Sequence, residues 1–185
     1  MIVELNARFK STVLVAVMVA AAMKAANAEE KTEVSAEAYR VYSAVLTQQY
    51  RSWFKGSDPI LIIAHTVLEP QGHAGYEGCR AQIPQEFLPL FDRLVAEKRE
   101  FRIEPKLKLP GPYKMLNGKA IIRENKEPGV VFLSVVEFSN DHSRVVILAG
   151  HSCGGLCGSG SLQSLEKRSD GWHVAKNQPS CGWIR

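Results

Sequence analysis

Most of what this 185-residue sequence has little of excludes a class of protein. Its main apolar stretch, 11–23, runs for only 13 residues, whereas a membrane-spanning helix needs about 20, so a multi-span membrane protein is excluded. Four cysteines in a chain of this length are too few for a miniprotein held together by disulfides. Charge of one sign is also scarce. Lys and Arg number 23 against 19 Asp and Glu, and they are spread along the chain instead of forming the basic stripe that nucleic-acid binding uses. Internal repeats and low-complexity segments are missing, which removes solenoids and fibres. What remains is 45% hydrophobic residues, one domain's worth of chain with enough apolar content for a core.

The first 28 residues have their own pattern. Arg8 and Lys10 precede the uncharged run 11–23, and Ala26-Asn27-Ala28 fits a small-x-small cleavage site. This predicts an export leader at 1–28 and a single domain at 29–185. A permanent single-pass anchor is the alternative, but the run is short for one. No cysteine lies near Ala28, so a lipid anchor has no support. Cleavage removes three basic residues (Arg8, Lys10, Lys24) and one acidic (Glu4), leaving a net charge of +2. The expected product is soluble, periplasmic or secreted, and touches the membrane only through its leader before cleavage.

In the remainder, Tyr39, Val41, Tyr42, Val45, Leu46, Tyr50 and Trp53 recur at helical spacing and predict a helix over 35–54. Ser35 is its cap, and Glu37 lies against the positive end of the dipole. The apolar run 60–67 reads as a buried strand. The loop 69–81 carries His73 and Cys79, and 84–98 predicts a second helix through Phe87, Leu88, Phe91, Leu94 and Val95. The basic, proline-rich segment 101–127 reads as a covering loop, with Ile121-Ile122 as a candidate short strand. Strands at 130–138, 144–149, 161–167 and 172–176, joined by short turns that include Asp170-Gly171, predict an antiparallel meander. The expected fold class is α+β, with N-terminal helices packed on an antiparallel β-meander.

Gly150-His151-Ser152-Cys153-Gly154 matches the G-x-S-x-G motif of α/β-hydrolases. The chemistry needs Ser152 on a sharp strand-to-helix turn, where helix-start N–H groups stabilise an oxyanion. Here a glycine-rich, strand-like stretch follows instead, and Asp170 and His173 lie three apart beside a hairpin turn. The motif is a decoy, no catalytic residue is assigned, and no cofactor is implied.

Cys153-Gly-Gly-Leu-Cys157 is the most distinctive feature. An oxidising compartment and an even cysteine count favour a small disulfide, with the glycines supplying conformations that a closed ring demands. Metal capture is the alternative: His151, Cys153 and Cys157 offer sulfur and imidazole to Cu(I) or Zn(II), with a fourth ligand such as His73 or His142 required from elsewhere. A redox-active dithiol favours C-x-x-C at a helix N-terminus, and this pair falls between strands. Four cysteines allow three connectivities. Cys153–Cys157 with Cys79–Cys181 is preferred, because two cysteines so close can join locally.

Other candidates have plainer readings. His65, in an apolar strand, reads as a core histidine, and Tyr39, Tyr50 and Trp53 as core aromatics. Trp172 and Trp183 flank the last strand and pack across the sheet. Glu124 with Glu127, or Glu137 with Asp141, read as solvated carboxylates.

From Gly129 to the end, GVVFLSVVEFS at 129–139, CGGLCGSG at 153–160, and the tail containing Asp170-Gly171-Trp172-His173-Val174 and Trp183-Ile184-Arg185 resemble a family of uncharacterised exported bacterial proteins. The resemblance covers about 57 residues closely and extends loosely to the early helix and to Thr66. It implies an architecture and an exported address, and supplies no activity. The Cys-Gly-x-Leu-Cys-Gly loop belongs to the family pattern, whereas Cys79 and Cys181 depart from it, which suits a pair acquired together.

Overall fold

Ser35 opens the first helix: its Oγ accepts the Ala38 N–H at 3.1 Å, satisfying a donor that the first turn leaves orphaned. The computed structural model describes residues 33–51, 58–67, 79–117, 129–154, 157–179 and 181–184, and Glu33–Arg185 make one compact unit. The leader expected at 1–28, His73, Trp53 and Ile121-Ile122 lie outside the described residues.

Helix α1 (Ala36–Gln49) buries Tyr39, Val41, Tyr42, Val45 and Leu46 along one stripe. It is shorter than the periodicity predicts. The Tyr50 N–H still reaches Leu46 O at 3.0 Å, but Tyr50 leaves helical geometry and packs its ring near the sheet. The second predicted helix begins later than expected. Pro84 precedes a 3-10 turn, Gln85–Phe87, and helix α2 (Leu88–Ala96) follows with a proline in its first turn, where the missing N–H costs nothing.

Among the described residues eight strands form a single sheet: β1 (Ile60–Ile63), β2 (Tyr113–Leu116), β3 (Val130–Leu133), β4 (Glu137–Phe138), β5 (Arg144–Gly154), β6 (Cys157–Arg168), β7 (Gly171–Val174) and β8 (Gly182–Ile184). The main order is β2-β1-β3-β5-β6-β7, with β4 also on β5 and β8 also on β6. Helices and strands are both present, but the arrangement is not the expected simple antiparallel meander. β1 pairs in parallel with both β2 and β3, while β3, β4, β5, β6, β7 and β8 join antiparallel. Nor are both helices N-terminal to the sheet, since α2 falls between β1 and β2. Parallel neighbours need long crossovers, and the stretch between β1 and β2 supplies one. The glycine-rich segment is likewise not a loop throughout, because β5 and β6 run through it and stay paired as far as Gly154 and Cys157.

Both faces of the sheet are covered. α1 packs on Val131, Leu133, Val145, Ile147, Ala149, Leu165 and Trp172. On the other face Phe87, Leu90, Phe91 and Leu94 pack on Val146, Leu162, Ala175 and Cys181. The alternation of β5 explains the split, since successive strand residues point to opposite faces.

Two polar contacts lock α1 in place. Gln48 acts as a substitute strand: its Nε2 donates to Trp172 O at 3.2 Å, and its Oε1 accepts the Val174 N–H at 3.1 Å. Backbone groups of β7 are satisfied in this way. Glu37 gathers three donors, Lys167 Nζ at 2.8 Å and Trp172 Nε1 at 2.9 Å on Oε1, and Arg40 Nη1 at 3.0 Å on Oε2. No helix among the described residues is long and apolar enough to cross a membrane.

Candidate functional site

The end of the β5–β6 hairpin gathers the chemistry-bearing residues singled out above. Its strands approach closely because of glycine. A Cβ at Gly150 would run into the Phe132 ring and the Ser159 carbonyl, so only glycine lets that ring lie across β5. Gly129, at φ 96°, has a backbone conformation that L side chains rarely adopt, and a Cβ there would stand 2.9 Å from Ser152 O and 3.1 Å from the Cys153 Cβ. The chain therefore enters β3 directly beneath the cysteine.

His151 is half-buried on the α1 face. Its ring meets Tyr50 edge-on, with centroids 6.2 Å apart at 84°, and its Nδ1 lies 3.3 Å from Ser159 Oγ across the strand pair. Burial lowers its pKa below 6.5, which keeps the imidazole uncharged at neutral pH. Burial also raises the Tyr50 pKa far above 10, so the phenol stays protonated. Along the same face of β6, Ser161 Oγ accepts from Gln163 Nε2 at 2.6 Å. Gln163 is 5% exposed, and its Oε1 has no hydrogen-bond partner among the described residues.

All four cysteines are paired, as Cys79–Cys181 and Cys153–Cys157, each with Cα atoms 5.1 Å apart. The two bonds differ in setting. Cys181 is 6% exposed and belongs to the α2-side core, against which Cys79 packs. Cys157 is exposed and Cys153 half-buried. They differ in chain length too, spanning 102 residues in one case and four in the other. The chain-entropy argument assigns about 4.7 kcal/mol to a loop of roughly 100 residues and, scaled to a five-residue ring, about 2 kcal/mol. Both figures are set by the unfolded chain, so the pairing of β5 with β6 in the folded state does not change them.

With both sulfurs bonded to each other, Cys153 and Cys157 offer no thiolate to a metal, and the His151 ring meets Tyr50 edge-on and lies beside Ser159 Oγ. No group of three or more His, Cys, Asp or Glu among the described residues could hold a metal ion. Ser152 lies within β5, in register with Val130 and Gly158, and β6 follows where a nucleophile elbow needs a helix. Asp170 and His173 do pair, Oδ1 to Nε2 at 2.9 Å. Their turn follows Arg168, however, and β6 between Gly158 and Arg168 places it about 30 Å from Ser152.

The other candidates are dispersed. His65 is half-buried and bridges to Arg102, less enclosed than a core position implies. His142 is exposed, with its ring 5.3 Å from that of Phe138. Glu137 pairs with Arg93 at 3.1 Å, while Asp141 accepts from the Ser139 and Ser143 hydroxyls; neither faces the other as an acid–base pair. Trp172 is buried against Phe138, with centroids 6.0 Å apart. The contacts that sequence reasoning missed are Tyr50 on His151 and the buried Gln163. Strand alternation from His151 and Ser159 carried a signal for the cross-strand pair, but nothing local linked residue 50 to residue 151.

Comparison of the chain with protein-family models, with curated proteins and with solved structures finds no match in any of the three.

Proposed function

We propose that this chain is an exported, non-enzymatic module, stabilised by disulfides and working in the periplasm or outside the cell. The observation that carries the reading is the pairing of every cysteine, one bond within the core and one at a hairpin end. Disulfides of this kind persist in oxidising compartments and are rare in the cytosol. The leader-like residues 1–28 support the same address. The non-enzymatic part rests on the strand setting of Ser152 and on the distance between it and the Asp170–His173 pair.

The test is the intact mass of the protein recovered from the periplasmic or culture fraction, alkylated before and after reduction. A mass beginning at Glu29, no alkyl group before reduction and four after it are expected. Free thiols, a retained leader or a co-purifying metal would each overturn part of the reading, and the metal would favour capture by His151, Cys153 and Cys157.

A further inference from the structure

We propose that Cys153–Cys157 is a thiol–disulfide exchange site, a cystine presented to a dithiol reductant or dithiol protein while Cys79–Cys181 stays closed. This goes beyond the proposed role, in which both bonds are staples, and it rests on that reading only in requiring both bonds to be formed.

Three observations carry it. Exchange requires a thiolate to reach a sulfur. Cys157 is exposed, whereas in the other bond Cys79 is half-buried and Cys181 is 6% exposed and packed in the α2-side core. Among the described residues, the chain neighbours Gly154 of Cys153 and Gly158 of Cys157 carry no side chain that could cover the sulfurs. Finally, the two strands that this bond joins are also held by other pairings. β5 and β6 are held by their ladder from Arg144 to Gly154, with β3 and β8 paired on either side near the same end. The bond whose loss costs less can open while the strands stay paired.

One thiolate of the dithiol attacks Cys157 Sγ, forming a mixed disulfide and breaking the Cys153–Cys157 bond. The electron pair leaves on Cys153 Sγ, which takes up a proton. The second thiol of the dithiol loses its proton and attacks the mixed disulfide at the reductant's sulfur, releasing Cys157 as a thiolate that is then protonated. The dithiol is oxidised by two electrons to its own disulfide, and the protein gains two thiols.

The experiment uses the purified protein. Its thiol content on isolation is recorded first, as the separate check on the export reading, and the protein is then oxidised until no free thiol remains. Graded dithiothreitol under native conditions is followed by alkylation, peptide mapping and near-ultraviolet circular dichroism. Label on Cys153 and Cys157 is expected at a dithiothreitol concentration at least ten-fold below that needed for Cys79 and Cys181, with the dichroism unchanged. Labelling of all four together, of Cys79 and Cys181 first, or in step with loss of the dichroism would overturn the proposal. With glutathione in place of dithiothreitol the mixed disulfide is expected on Cys157; an adduct confined to Cys153 would overturn the assigned point of attack.

Discussion

The two disulfides are alike in Cα separation and opposite in everything around it. Cys79–Cys181 links the start of the α2 region to the segment that leads into β8, across 102 residues and within a core of aromatic and aliphatic side chains. Cys153–Cys157 spans four residues at the end of two strands that are already paired. A covalent bond thus stabilises in proportion to the freedom it removes from the unfolded chain, which grows with the length of loop it closes.

The sharpest way to break this comparison is to measure two double variants side by side. Cys79→Ser with Cys181→Ser is expected to cost about 4–5 kcal/mol in urea unfolding, and Cys153→Ser with Cys157→Ser about 2 kcal/mol or less. Equal losses would mean that the hairpin end needs its bond as much as the core does.

A smaller effect tests why the hairpin end can close at all. Gly150→Val is expected to destabilise by about 2–3 kcal/mol through overpacking against the Phe132 ring. Phe132→Ala in the same chain should recover part of that loss, and additive losses would assign the cost to something other than the ring.

The smallest effect lies at the opposite end of the sheet. The Glu37 carboxyl is held below its ordinary value of 4.5, first by the hydrogen bond from Lys167 and then by Trp172 and Arg40. Its folded pKa is depressed, so its contribution is fully present above about pH 4.5 and is lost as the pH falls through the folded value. Glu37→Gln is expected to lower stability at pH 7 by about 1 kcal/mol, since Lys167 remains partly exposed to solvent. The variant should also flatten the fall in stability below pH 4.5. An unchanged acid slope would show that the carboxylate does not hold α1 to β6.

The same contrast between local and distant explains what was legible in the sequence. Ser35 as a cap, the buried stripe of α1 and the turn at Asp170-Gly171 each depend on neighbours within a few residues, and their patterns were readable. The parallel pairing of β1 with β2 and β3 depends on residues about fifty or more apart, and Tyr113–Leu116 alternates too weakly to reveal a strand. Glycine misled in a different way. At 150, 154, 158 and 160 it reads as a loop, yet at Gly150 it stands where strand and ring come too close for a side chain. The contact of Tyr50 with His151 joins a helix end to a distant strand, so no periodicity could report it.

The five-residue ring also has a consequence in time. A chain that emerges N-terminus first presents Cys79 to Cys153 and Cys157 before Cys181 has arrived. Closure of a short loop needs little chain search, so the hairpin pair takes itself out of competition early. Cys79 is then left with a single eligible partner, the last cysteine to emerge, and three connectivities reduce to one through the order of events.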